Sequence, residues 1–595
     1  MVNRSHVNKL GHRFSVFVVG QKMKEQSIVL RSLAFGVLLA FAGVYATPCR
    51  ANVGKGPTAS LSAPSVRFVR AKDLGRVSGQ VSVAIHSNDP AGISRVDLLC
   101  DNAQVGTVTV SPTATDSVVY FAWDTSAMPN GKHSLQARAV NSAGSQTTIA
   151  RPVFVRNYSI SQPTGNVIAL NPFVKYQTMR GWEATDQSGQ LFSPAWNNYK
   201  DALFDLAANN IGINRLRLEI TSGSENPVDY FAQWRSGQIT EEQYNTHRYD
   251  IVNDDSDPNH INLAGFKFSA LDNTINNVIL PMRQRLASRG ERLWVNLDYV
   301  DFDPSPFEHK NFPTEYAEFV LATYQHMQAS FGFVPDSWEA VLEPDASEWS
   351  ASQVAAAIKA AGDKLAANGF TPNFTAPSVL DASSAPAYID QISRTPGAMQ
   401  YVSEFSYHRY SGGTPAVLQQ IADRGILYGK KTGMLEWIGA DYNTLHQDIK
   451  TGRNSSWQQY TLAGPTSWGP DDGDRYFIID DTVASNPVIM IGRRTKFFMQ
   501  YFKFVRSGAQ RIQALTGNST FDPVAFINTN GKYVVIVKAG AGGTFSVRDL
   551  PPATYGIKFT TASQYDIDLS DVTIASGQSL STSMPAAGVI TVYAR

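Results

Sequence analysis

Two glutamates stand in matching settings. Residues 337–345 read SWEAVLEPD, and residues 431–439 read KTGMLEWIG. Alternation through Trp338, Ala340 and Leu342 predicts a strand. Pro344 has no N–H for a ladder, so that strand is expected to stop at Glu343. Glu436 takes the same place at the tip of the second stretch, 93 residues further on. A carboxylate at the end of a buried strand is costly unless it is paired or used. Two carboxyls on different strands that face one pocket can divide the work of acetal cleavage. One keeps a proton for the leaving oxygen, and the other stays ionised to attack or to activate water. Glu343 and Glu436 are the expected pair. Glu339, earlier in the same strand, is a competitor that should lie in a lower layer.

Such a pair needs elements that deliver both tips to one face. From about residue 177 onward, apolar strands alternate with amphipathic helices, which predicts parallel β/α units. The strands are TMRGWEA, INRLRLEI, RLWVNLDYV, SWEAVLEP, NFTAPSVL, EFSYHRY, TGMLEWIG and AQRIQAL. Eight is the number a (β/α)8 TIM barrel requires, and active sites of such barrels sit at the C-terminal ends of the strands. Phe268, Leu271, Ile275, Val278, Met282 and Leu286 share one helical face. Ser350 and Gln353 form a capping box, with Val354, Ile358, Ala361 and Leu365 inward. Thr414-Pro415 opens a further helix, and Gly425 is expected to close it. Long loops follow the second strand (221–266) and the seventh, the latter carrying Trp457, Trp468 and DDGDRY.

The remaining sequence surrounds this barrel. Residues 58–157 hold short alternating strands separated by turns at Asn88-Asp89-Pro90, Pro129-Asn130-Gly131 and Ser142-Ala143-Gly144, a β-sandwich pattern. Within it Gly92-Ile-Ser-Arg-Val96, Phe121-Ala-Trp123-Asp124, Pro129-Asn-Gly131-Lys-His133 and Ala139-Val-Asn-Ser-Ala-Gly144 resemble the immunoglobulin-like modules of secreted bacterial enzymes, where such a module is a spacer more often than a carbohydrate binder. The barrel is assigned to 166–516, and a C-terminal β-sandwich to 517–595, which should recruit 166–175. Residues 1–51 read as an export segment: Met23-Lys24 and Arg31 precede an apolar run from Leu33 to Ala46. A start at Met23 is therefore the alternative expectation, with cleavage after Ala46 or Ala51. The run is shorter than the roughly 20 residues of a membrane span, so no stable anchor is expected.

Composition excludes several classes. The chain has 595 residues, 51 Lys+Arg and 51 Asp+Glu. No basic excess or stripe suits nucleic acid. Two cysteines, Cys49 and Cys100, rule out a cysteine-built zinc site or a disulfide framework. The Asp-rich segments at Asp254 and Asp471 match no EF-hand loop and read as solvated. No HExxH or GxSxG occurs. No cofactor and no metal are expected, and the chain is expected to act as a monomer, secreted or periplasmic in a bacterium.

Met179-Arg-Gly181-Trp182, Arg217, Glu343-Pro344, His408-Arg-Tyr410 and Glu436, together with a barrel followed by a small β-sandwich, resemble the clan of retaining (β/α)8 glycosidases, and within it glycoside hydrolase family 30. The resemblance implies Glu343 as acid/base and Glu436 as nucleophile, on the fourth and seventh strands. It implies that Arg217 and Tyr410 hold the nucleophile ionised, with His408 in support. Trp182, Tyr299 and Trp437 are candidates to stack on sugar faces, and Glu183 to bond a sugar hydroxyl. The chain departs from the pattern at Leu342, where the clan has an asparagine that touches the sugar 2-OH. Tryptophans usual after the third strand and in the eighth are also missing. The implied activity is hydrolysis of a β-linked polysaccharide or oligosaccharide. The rival expectation, which Leu342 motivates, is an exported carbohydrate-binding or scaffold protein on a degenerate barrel.

Overall fold

The computed structural model describes residues 63–69, 74–302 and 304–595. The export segment over 1–51, with Cys49, lies outside the described residues.

Eight parallel strands close into a barrel: Gly181–Thr185, Arg215–Thr221, Trp294–Val300, Ser337–Glu339, Phe374–Asp381, Val402–Ser411, Lys431–Glu436 and Asn454–Pro465. Closure comes from the first strand pairing with the eighth, Gly181 beside Ser456 and Trp182 beside Trp457. Outward residues such as Leu216, Leu218, Val295 and Leu297 pack under the helices in one large core. That packing explains the helix Ala351–Ala367, whose Val354, Ile358, Ala361 and Leu365 are buried and whose Ser350–Gln353 capping box is formed. The helix Pro415–Tyr428 is capped by Thr414 but does not end at Gly425 as expected. It runs on to Gly429, which takes the left-handed conformation at φ 64°.

The eighth strand is a correction. AQRIQAL was expected to complete the barrel, but Gln510–Thr516 belongs to the C-terminal sheet, and Asn454–Pro465 completes the barrel instead. The reason is the polarity of the barrel interior. The eighth strand carries Ser456, Gln458 and Tyr460 on one face among buried carboxylates, so its apolar alternation is weak. Ile512 lies in an antiparallel sheet, where alternation is clean. The fourth strand is also shorter than expected. Its ladder ends at Glu339, and the chain continues to Glu343 by donating singly to its neighbours: Leu342 N to Tyr299 O at 2.8 Å, Glu343 N to Ser378 O at 3.0 Å.

The C-terminal sheet has nine strands and includes Val167–Thr178, which precedes the barrel and lies between Gln510–Thr516 and Gly543–Arg548. It curls over its own core of Ile168, Ile512, Phe521, Val535, Phe545 and Ile590. The N-terminal module stacks a three-stranded sheet on a five-stranded one around Val83, Val96, Phe121, Trp123 and Leu135. Cys100 is buried there, and burial pushes its thiol up to about 11, so it behaves as core. The module rests on the helix Pro415–Tyr428. Tyr120 meets Tyr428 edge-on at 5.3 Å, and Ser82 Oγ donates to Leu427 O at 2.7 Å.

Candidate active site

Inward residues of the second strand alternate along its length and set the layers of the barrel interior. Arg215 is lowest. It binds Glu183 and reaches Glu404 at 3.4 Å, while Asn296 and Ser456 donate to the same carboxylates. Arg217 lies one layer higher and donates to Glu436 through Nη2. Tyr410 OH donates to the other oxygen of Glu436 at 2.7 Å. Across the pocket His408 Nδ1 is hydrogen-bonded to Glu343 Oε1 at 2.8 Å. Glu343 sits at φ 46°, a left-handed conformation that non-glycine residues seldom adopt. The turn aims its carboxyl at Glu436. An oxygen of each glutamate and a ring nitrogen of His408 lie within 4.8 Å of one another. Both glutamates are nearly buried, at 6% and 7% exposure.

Their environments push them in opposite directions. Burial raises the Glu343 carboxyl above the usual carboxylate range, against the partial opposition of His408. Burial would raise Glu436 too, but Arg217, His408 and the Tyr410 hydroxyl outweigh it and hold Glu436 below that range. Burial disfavours the imidazolium of His408, yet the charges of Glu436 and Glu343 lift its pKa. The surroundings therefore favour the neutral form of Glu343 and the ionised form of Glu436, two carboxyls that lie close together. Glu343, His408 and Glu436 are also spaced to ligate a metal ion. The Arg217 cation already neutralises Glu436 and stands 3.5 Å from His408 Nε2, which opposes a second positive charge there.

Arg217, His408, Tyr410, Glu343 and Glu436 come together in one hydrogen-bonded cluster at the strand ends. Trp437 follows Glu436, half-buried, with the Arg409 guanidinium 5.2 Å from its ring. Three expected sugar contacts are corrected. Trp182 faces outward, fully buried, stacked on Phe502 at 4.3 Å and donating from Nε1 to Val505 O at 2.7 Å. Glu183 is sealed in the lowest layer with Arg215. Tyr299 is fully buried, its hydroxyl on His309 Nδ1 at 2.8 Å. Each lies on a strand near the pocket, but strand alternation turns the two aromatics away and depth closes off the glutamate. Glu339 is buried below the pair, held by Ser378 and by Asn296 at 2.7 Å. Leu342 packs with Tyr249, Val300 and Phe302 in a small apolar patch apart from the main core. The Asp254 carboxylate accepts Asn262 N at 2.6 Å and Asp255 N at 3.0 Å, which ties its own loop.

Two residues of the pocket escaped the sequence reading. Tyr460 on the eighth strand and Glu219 on the second are partly exposed, and both are raised above their ordinary ranges, burial first, with the charge of Glu436 adding to it. Tyr460 was hidden because its strand was read as loop. Glu219 was legible, since it follows Arg217 by two in INRLRLEI.

The closed parallel barrel and the curled sheet built on both its flanking segments form a fold that solved glycoside hydrolases share. A comparison of structures places it beside the catalytic domain of a glycoside hydrolase family 30 xylanase C from Talaromyces cellulolyticus (TM-score 0.54, 15% identity, 72% of this chain and 100% of that one). A family 30 endoxylanase from Clostridium papyrosolvens is similar over 72% and 99% (TM-score 0.51, 15% identity). An endo-β1,6-glucanase is similar over 73% and 95% (TM-score 0.50, 16% identity). Residues 64–137 match the bacterial Ig domain family. No match to a characterised protein is found by sequence. Among the described residues no helix is long and apolar enough to cross a membrane.

Proposed function

We propose that the chain is an exported glycoside hydrolase that cleaves β-linked polysaccharide or oligosaccharide with retention of configuration. The observation that carries this reading is the Glu343–Glu436 pair at the ends of two barrel strands, with oxygens within 4.8 Å and with the residual exposure that the Glu183–Glu404 pair below lacks. Retaining enzymes hold their carboxyls about 5–5.5 Å apart, and inverting ones about 6.5–9.5 Å, to admit a water. An oxygen of each carboxyl within 4.8 Å of the other supports the shorter, retaining spacing. Glu343 gives its proton to the leaving oxygen while Glu436 forms a bond to the anomeric carbon. Glu343, now ionised, takes a proton from water, whose oxygen displaces Glu436. Arg217 and Tyr410 keep Glu436 ionised between turnovers. The xylanase and glucanase names of similar structures favour a β-glycan substrate, and the export reading of residues 1–51 favours action outside the cytoplasm.

Hydrolysis of a β-glycan panel followed by proton NMR tests the reading. The first-formed product should have the β-anomeric configuration, and α-product would overturn retention. Glycan binding with no hydrolysis across the panel would favour the carbohydrate-binding alternative that Leu342 raised.

A further inference from the structure

Hydrolysis through an oxocarbenium-like transition state gains several kcal/mol from a hydrogen bond to the hydroxyl next to the reacting carbon. Most polar groups near Glu436 are already committed. Arg217 and Tyr410 bind Glu436, and His408 binds Glu343. Leu342, beside the acid/base, offers only apolar atoms and is packed on Tyr249, Val300 and Phe302.

Glu219 is different. It is the third inward residue of the second strand, one layer above Arg217, where the barrel opens. Residues 213–218 before it are all buried, Ile220 after it is buried, and Glu219 alone among them is partly exposed. Its carboxyl makes no side-chain hydrogen bond among the described residues, although Arg217 and Arg248 are near enough to favour its charge and Glu436 and Glu339 to oppose it. A partly exposed carboxyl on the inward row above Arg217, without a side-chain hydrogen bond among the described residues, is suited to accept from a sugar hydroxyl.

We infer that Glu219 binds the hydroxyl adjacent to the carbon attacked by Glu436, supplying the polar contact that Leu342 cannot. This rests on the glycosidase reading. Glu219 is thus a substrate-binding and specificity-determining residue, and Tyr460, on the eighth strand, lines the same side of the pocket.

The test compares wild-type, Glu219→Ala and Glu219→Gln chains on aryl β-xylosides and aryl β-glucosides, each with and without the 2-hydroxyl. Glu219→Ala should lower kcat/KM about hundredfold on the 2-hydroxy substrates, mostly through kcat because the bond strengthens in the transition state. On the 2-deoxy substrates the loss should fall below threefold. Glu219→Gln, which keeps an acceptor, should lose about tenfold, and its unchanged thermal melting would exclude a folding defect. An equal loss on both substrate types, or no loss on either, overturns the inference. Wild-type turnover that Glu436→Ala abolishes and Glu219→Ala leaves intact sinks Glu219 alone. Absence of wild-type turnover on these substrates and on the glycan panel sinks the glycosidase reading and Glu219 with it.

Discussion

Two arginines, two residues apart on one strand, organise two carboxylate clusters of similar make-up and different character. Arg215 gathers Glu183 and Glu404 in the lowest layer, and Arg217 gathers Glu436 one layer up. In each cluster one glutamate is driven up and one down: Glu183 up and Glu404 down below, Glu343 up and Glu436 down above. Divergent pKa values therefore do not single out the working pair. Access does. Glu183 and Glu404 are fully buried, and Asn296, Arg180 and Ser456 also bind them. Glu343 and Glu436 keep an open side and face each other. The lower cluster spends its electrostatics on closing the barrel, and the upper one leaves it available to a substrate.

The contrast can be broken by mutation. If Glu436 is the proposed nucleophile, Glu436→Ala should reduce kcat by about 10⁴-fold, with a smaller loss of stability than Arg215→Ala because Arg217 keeps Asp298 and Glu339 beside it. A stable, fully active variant would erase the distinction between the clusters. Arg215→Ala should do the opposite. It leaves the buried Glu183 carboxyl without a cation, while Glu404 keeps Arg180, and should cost about 3–5 kcal/mol of stability in chemical denaturation, while kcat per folded molecule holds. Tyr410→Phe should lower kcat by about tenfold, the loss of one charge-assisted hydrogen bond to the ionised nucleophile.

Tyr410→Phe should also shift the pH profile. Activity needs Glu436 ionised, so it rises with pH through the Glu436 pKa, and needs Glu343 protonated, so it falls through the Glu343 pKa. Tyr410 holds Glu436 down, and its loss should move the acidic limb to higher pH. His408→Gln should move both limbs upward, because His408 lowers both carboxyls. A shift of either limb to lower pH would contradict the assigned roles. The smallest effect expected is that of Trp182→Phe. It removes the bond to Val505 O, should cost about 1 kcal/mol, and should leave KM unchanged. A raised KM would return Trp182 to the sugar site.

Much of this was legible in the chain. Glu436 closing an apolar run, Arg217 in INRLRLEI and the HRY triplet each carry a local mark, a strand tip or a charge inside a strand, whereas the expected strand end at Glu343-Pro344 lies four residues beyond the observed one at Glu339. The misread positions share a cause. Trp182, Glu183 and Tyr299 lie on the right strands, but whether a side chain turns toward the pocket, toward the helices or into a sealed layer depends on barrel register. The eighth strand was missed for a related reason. Its inward face is polar because it meets the carboxylates of other strands, and that removes the alternation by which strands are recognised.

The amino-acid sequence by itself determined that apolar strands alternate with amphipathic helices and that Glu343 and Glu436 follow two of those strands. Those features are local, governed by alternation over a few residues. Only the tertiary structure decided which of several buried carboxylates keep some exposure, that Asn454–Pro465 closes the ring, and that Glu219 is partly exposed between buried neighbours. Those outcomes depend on closure, because a barrel's interior layers are assembled from strands far apart in sequence. Desolvation and pairing, which set each carboxyl's charge, exist only after the strands meet.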